Sequence, residues 1–232
     1  MSDLTHRSVG VRVAAIIPAL DEERSIEAAI ASLPNEIVDR VIVVDGGSRD
    51  ATAMRAATAG AEVVYEPRRG YGRACLSGAE AAAGAQVLLF MDGDGSDIGQ
   101  QADRLLDPIL SERADLVLGS RVRGRRERGS LAAHQMVGNR LVATILNRRF
   151  RLALTDIGPY RAIRAELLPE LGLREMTYGW PTEMIRNVAR HGGRVVEVPV
   201  DYRRRSDGRS KVSGDMRASA QAGWQMLRVA AG

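Results

Sequence analysis

Apolar positions follow two rhythms in the first half of the chain. Short runs at residues 11–17, 41–44, 62–65, 87–91 and 116–118 are rich in Val, Ile and Leu and give way to Pro, Asp or Gly. Brief, mostly β-branched runs of this kind are what buried parallel strands look like. Between them, residues 25–33, 52–59, 73–83 and 101–110 are Ala-rich and long enough for helices, with Ser48 or Asp50 placed to cap the second. The alternation βαβαβαβαβ predicts an α/β fold with a doubly wound, mainly parallel sheet. Such sheets take ligands in the crevice outside the C-terminal ends of their strands.

After Ser120 the pattern changes. Residues 121–130 form a basic loop with Gly124 and Gly129, and residues 131–150 read as a long helix. Further strands are expected at 158–163 and 195–202, a helix at 183–191, and a polar loop at 206–213 before a last helix at 215–230. In that helix Met216, Ala220, Trp224 and Leu227 make one apolar stripe. Packing on the core is the expected use of the stripe, in preference to docking on a membrane.

A chain of 232 residues with 45% hydrophobic content can bury a full core, so one domain over 1–232 is expected. No window reaches the length of a membrane span, because the most apolar run is cut by Asp92. Residues 1–10 lack the apolar centre of an export signal. With Cys75 as the single cysteine, the expected address is cytoplasmic, with room for peripheral contact at the inner face of the membrane. A net charge of +4 is too mild to predict a nucleic-acid partner. The charge is uneven, however: arginines crowd 121–128 and 203–211, and Lys211 is the only lysine. An ammonium in an otherwise Arg-only chain suggests a place where a compact charge is needed.

Three groups of carboxylates follow predicted strands: Asp21-Glu22-Glu23 after the first, Asp45 after the second, and Asp92-Gly93-Asp94-Gly95-Ser96-Asp97 after the fourth. They should meet on one rim, where glycines let Asp92 and Asp94 turn toward one hard cation, Mg²⁺ or Mn²⁺. An EF-hand starting at Asp92 fails, since its sixth and twelfth positions are Asp97 and Asp103 rather than Gly and Glu. Dinucleotide binding fails too, because the first strand leads into carboxylates and not into a glycine-rich phosphate loop. The same charge argues against a nucleotidyltransferase. A haloacid-dehalogenase phosphatase would carry its Asp-x-Asp-Gly motif on the first strand, not the fourth. A non-catalytic sugar-nucleotide sensor stays open on the residues alone.

The segments Pro18-Ala19-Leu20-Asp21-Glu22-Glu23, Val43-Val44-Asp45-Gly46-Gly47-Ser48-Arg49-Asp50-Ala51-Thr52 and Met91-Asp92-Gly93-Asp94 closely resemble the nucleotide-sugar half of family-2 glycosyltransferases with the GT-A fold. Leu118-Gly119-Ser120-Arg121, Asp156-Ile157-Gly158-Pro159-Tyr160-Arg161 and Arg205-Ser206-Asp207-Gly208-Arg209-Ser210-Lys211 look like the dolichol-phosphate mannosyltransferase and polyprenyl-phosphate glycosyltransferase branch. The resemblance implies a nucleotide-sugar-binding half at 11–120 and an acceptor half at 121–232. It implies that Pro18, Ala19 and Glu22 line the nucleoside pocket, with Asp45 on the base and Gly46 and Gly70 beside the donor, a UDP- or GDP-hexose. Asp92 and Asp94 would hold ribose or metal, Arg205, Ser210 and Lys211 would close over the diphosphate, and Arg121 would face the acceptor.

The departures carry information as well. Ser96 stands where that branch often has a Gln ligand, and Thr182-Glu183-Met184 lacks the Asp that acts as base in members glycosylating hydroxyl groups. No Gln-x-x-Arg-Trp motif of processive members is found. The acceptor is therefore expected to carry a phosphate, in the first instance a polyprenyl phosphate. Arg121 would grip it, with Arg123, Arg125, Arg126 and Arg128 steering and Asp156 in reserve as a base.

Overall fold

The computed structural model describes residues 10–205 and 216–232, with side chains from 221 onward in the second segment. Seven strands and seven α-helices follow in the order β1 (Val13–Ala19), α1 (Ile26–Ala31), β2 (Arg40–Asp45), α2 (Thr52–Thr58), β3 (Glu62–Tyr65), α3 (Tyr71–Ala81), β4 (Val87–Phe90), α4 (Ala102–Leu110), β5 (Leu116–Ser120), α5 (Ala133–Phe150), β6 (Arg161–Arg164), α6 (Trp180–Arg190), β7 (Val195–Pro199) and α7 (Met216–Ala231). The strands form one sheet in the order β3-β2-β1-β4-β6-β5-β7. All neighbours are parallel except β6, which runs antiparallel to both β4 and β5.

Side chains alternate across the sheet as the two-residue period of a strand demands. From β1, Val13, Ala15, Ile17 and Ala19 enter a core with Ala29 and Ile30 of α1 and Leu105 and Ile109 of α4. Ala14 and Ile16 enter the opposite core with Ala74 and Cys75 of α3, Leu146 of α5 and Trp180 and Ile185 of α6. Both faces are covered, which explains why the strands read as continuous apolar runs rather than alternating ones.

The expected doubly wound sheet is present, with three differences. The strand at 158–163 begins at Arg161 and lies antiparallel between β4 and β5, since apolar content does not encode strand direction. The third helix starts at Tyr71, two residues early. It is preceded by Gly70 at φ +146°, where a Cβ would lie 2.2 Å from the Met176 carbonyl oxygen. Neither expected residue is the N-cap of α2, which is Ala51 without a side-chain cap; Asp50, one residue earlier, accepts from Thr52 N at 3.0 Å, and the Ser48 hydroxyl turns to Asp45.

The last helix packs on the core as expected, and of the expected stripe Leu227 takes part whereas Trp224 does not; the side chains of Met216 and Ala220 lie outside the described residues. Trp224 is 69% exposed, while Ala222, Val229 and Ala230 are buried and Met226 and Leu227 pack beside them. Small residues suit the inner face because α7 lies close against both α5 and α6, and a stripe picked by side-chain size misses that.

Candidate functional site

At β1 the strand order reverses, with β2 on one side and β4 on the other, and the loops leaving those strands must separate there. The β1–α1 loop is buttoned to the β2–α2 loop. Asp21 N donates to the Ser48 hydroxyl (2.9 Å), Glu22 N to Thr52 Oγ1 (2.8 Å) and Glu23 N to Asp50 Oδ2 (3.2 Å). In return Arg49 N donates to Asp21 Oδ1 (2.8 Å) and Ala51 N to Glu23 Oε2 (3.1 Å). Asp21 and Glu23 are therefore spent on backbone, and Glu22 is left to face inward.

The result is a cavity of about 580 Å³, within the range of small-ligand sites. Pro18, Ala19, Glu22, Gly46, Gly70, Asp92, Asp94, Arg121 and Arg205, all singled out from the sequence, line it. Asp45 and Asp156 do not reach its wall. Asp45, 5% exposed, accepts from Ser48 N (3.1 Å) and the Ser48 hydroxyl and so braces the turn behind Gly46. Ser210 and Lys211 lie outside the described residues. A larger cleft of about 810 Å³ lies at the N-terminal ends of β1 and β4, walled largely by Ala79, Ala82, Ala83, Leu110 and Leu168. It is at the wrong end of the strands for this kind of sheet.

The loop after β4 is tightly wound, with Gly95 at φ +76°. Ser96 N donates to Asp94 Oδ1 at 2.9 Å, and the Ser96 hydroxyl joins the same oxygen while lying 3.0 Å from the Tyr202 hydroxyl. Asp92 N donates to Asp97 Oδ2 at 3.1 Å, whereas Asp97 Oδ1 is buried without a partner among the described residues. Burial, and after it the charges of Asp94 and Asp97, hold the Asp92 carboxyl well above the usual range. Burial and Asp94 push Asp97 up to about 7. Arg205 is the local counter-charge, 2.5 Å from Glu22 Oε1 and 3.3 Å from Asp94 Oδ2.

A divalent cation suits this donor set. The oxygens are hard carboxylates, they are crowded enough to repel one another, and Asp97 leaves one buried oxygen unsatisfied. Asp92 and Asp94 are the residues that would hold it. Among the described residues no cluster of three or more such side chains forms a complete cage, so a diphosphate and water would have to supply the remaining ligands.

Across the cavity, β5 leads directly into Arg121, which is 6% exposed. Its Nε and Nη2 donate to the two Asp156 oxygens at 2.7 and 2.9 Å, and its guanidinium lies 5.1 Å over the Tyr202 ring. Burial works against its charge, but Asp156 more than offsets this and its pKa is raised. Asp156 also accepts from Asn139 Nδ2 and Ile157 N, both at 2.8 Å. Despite its burial, Arg121 holds its carboxyl below the usual range. Asp156 lies behind Arg121 with both oxygens already accepting, so in this arrangement its contacts fix the Arg121 guanidinium. Glu197 of β7 fixes the loop, accepting from Thr155 N (2.8 Å) and Asp156 N (2.9 Å).

Met184 is fully buried in α6, and Glu183 is turned inward to accept from Arg174 N and Glu175 N. The rest of the far wall is Ser130, Leu131, His134, Gln135, Gly138 and Asn139. Tyr202 and Asn139 were missed from the sequence, as their roles depend on contacts with Arg121 and Asp156 across the fold. Asp97 stood in the carboxylate motif but was given no part.

This sheet, with the cavity at its reversal, is the GT-A fold of glycosyltransferases. The chain belongs to glycosyl transferase family 2, whose sequence model matches residues 14–172. It is 39% identical to an uncharacterized glycosyltransferase of Mycobacterium tuberculosis, over 90% of this chain and 94% of that protein. It is 34% identical to the undecaprenyl-phosphate mannosyltransferase of Micrococcus luteus, over 96% of this chain and all of that one. Among solved structures it matches glucosyl-3-phosphoglycerate synthase of M. tuberculosis, crystallised with Mn²⁺, UDP and glucosyl-3-phosphoglycerate. The TM-score is 0.74 at 25% identity, over 97% of this chain and 81% of that one.

Proposed function

We propose that this glycosyltransferase moves a hexose from a UDP- or GDP-sugar to a phosphorylated acceptor, with polyprenyl phosphate as the first candidate and with inversion at the anomeric carbon. The observation that carries the reading is the division of charge in the cavity. All its lining carboxylates, Glu22, Glu66, Asp92 and Asp94, lie toward the ends of β1, β3 and β4, where Arg68 and Arg205 pair with Glu66 and Glu22 and Arg69 lies beside them, whereas the far wall offers Arg121 and no carboxylate. A hydroxyl nucleophile needs a base, but a phosphate monoester, with a second pKa of about 6, is already mostly dianionic at neutral pH. Arg121, held by Asp156 and stacked over Tyr202, would hold such an oxygen against the anomeric carbon. The new C–O bond forms as the bond to the diphosphate breaks, and the nucleoside diphosphate leaves. A bound Mg²⁺ or Mn²⁺ would supply the charge that stabilises the leaving diphosphate. Asp92 and Asp94 would hold it, and Glu22 and Arg205 border the same pocket.

The names of the relatives support this reading, since the Micrococcus protein is named for undecaprenyl phosphate and the synthase was solved with a phosphorylated product. A second reading, transfer to a hydroxyl group, rests on His134, the one imidazole on the far wall among the described residues. Donor choice is tested by thermal unfolding with UDP- and GDP-hexoses. With Mn²⁺, the right donor at a hundredfold its Kd adds about 2.7 kcal/mol of apparent stability. The same shift in excess chelator would remove the metal from the proposal.

A further inference from the structure

We infer that the outer face of α5 and α7 is a docking surface for an anionic lipid bilayer, onto which the site cavity opens. It deepens the acceptor reading above, because a lipid-borne phosphate has to be met where the lipid is.

Charge is the first observation. The chain has 29 Asp and Glu, yet none falls in the 18 residues of α5 or the 16 of α7, which carry Arg140, Arg148, Arg149, Arg217 and Arg228. Elsewhere basic and acidic residues are nearly balanced, so these two helices form a positive panel with no acidic residue of their own, although Arg228 pairs with Glu175 at 3.2 Å. The basic loop extends it, as Arg126 reaches the Met136 sulfur of α5 at 2.8 Å.

Exposure of apolar side chains is the second. Val137 is 69% exposed, Leu141 49% and Trp224 69%. Val137, Leu141 and Arg148 are spaced four and seven apart and so share one stripe of α5. Val142, Ala143 and Leu146 of the same helix are buried in the core. A helix face that mixes arginine with uncovered Val, Leu and a neighbouring Trp has the composition of a bilayer interface element, with the Trp at headgroup depth. An anionic surface matches its charge, where a purely apolar partner would not.

Position is the third. The two helices lie side by side, with Arg149 Nη1 donating to the Ala231 carbonyl at 2.6 Å. The cavity is walled by His134 and Gly138 of α5 and by Ala222, Gly223 and Met226 of α7. Val137, Leu141 and Trp224 do not line it, but they belong to the two helices that wall it, so a bilayer on them lies next to the cavity.

The test is flotation of the full chain with vesicles of phosphatidylcholine alone or of equal parts phosphatidylcholine and phosphatidylglycerol. The expected result is binding to the mixed vesicles only, weakening as salt rises. Replacing Val137, Leu141 and Trp224 together by Ser should weaken it by about tenfold or more, with thermal unfolding and turnover of a water-soluble short-chain polyprenyl phosphate unchanged. The double change Arg140→Glu, Arg148→Glu should have the same effect on flotation. Absence of flotation, equal flotation with both vesicles, or flotation untouched by the triple Ser variant would overturn the proposal. So would a dimer in light scattering that the triple variant dissolves, which would give the face to a second copy of the chain. Flotation without any turnover of polyprenyl phosphate would sink the acceptor reading and leave the surface standing. Turnover of the short-chain phosphate without flotation would do the reverse.

Discussion

Asp94 accepts two hydrogen bonds from Ser96 on one oxygen and faces Arg205 with the other, so its carboxylate is aimed before any ligand arrives. Asp94→Asn keeps the size and the Ser96 contacts but removes the charge a cation needs. Turnover should fall by about a hundredfold or more, with the protein's unfolding temperature little changed. Steady-state kinetics with and without added Mn²⁺ check this, and metal-stimulated turnover at the wild-type level would exclude Asp94 as a ligand. Glu66 offers a pH test. Hydrogen bonds from Arg68 and then Ser77 lower its pKa from 4.5 to about 2, against the opposing effect of burial. A depressed folded-state pKa contributes stability that is fully present above the unfolded value and is lost as pH falls through the folded one. Glu66→Gln should therefore cost stability at neutral pH and flatten its decline between about 4.5 and 2. Parallel melting curves for the two proteins in that window would show no contribution from Glu66.

The elements behind these residues were unequally legible. Strands β1, β2 and β4 ended in carboxylates that could be read directly as a rim, because a strand's C-terminal end in a parallel sheet is fixed by the βαβ alternation. The acceptor side was not readable in the same way. Arg121 and Asp156 are 35 positions apart and meet only because β6 is inserted between β4 and β5, and no local pattern announces an antiparallel insertion. The apolar stripe of α7 misled at Trp224 for a related reason: the helix buries Ala222 and Ala230 and shows its tryptophan. Trp180 at the start of α6 is the other kind of anchor, fully buried and edge-on to Phe90 of β4 at 5.1 Å between ring centroids. It supports the strand that carries Asp92. Trp180→Ala should destabilise the fold by about 3–5 kcal/mol, measurable by urea unfolding, and a loss below about 1 kcal/mol would mean that the ring is not part of the packed core.

At the scale of the whole molecule, one sheet joins a rim rich in carboxylates, at the ends of β1, β3 and β4, to a wall built around the buried Arg121. The chain's +4 charge is the balance of two unlike halves, since residues 121–232 hold 22 of the 33 basic side chains and 10 of the 29 acidic ones, and among the described residues no helix is long and apolar enough to cross a membrane. Family membership and fold follow from the sequence and the sheet; the phosphate acceptor is the claim that most needs a direct trial. Radiolabelled donor is offered with a short-chain polyprenyl phosphate and, in parallel, with the matching alcohol, to wild type, Arg121→Ala and His134→Ala. The expected result is labelled product from the phosphate alone, a loss of about a hundredfold or more in Arg121→Ala, and near wild-type product in His134→Ala. Product from the alcohol but not the phosphate, abolished in His134→Ala, would contradict the account and establish the hydroxyl reading in its place.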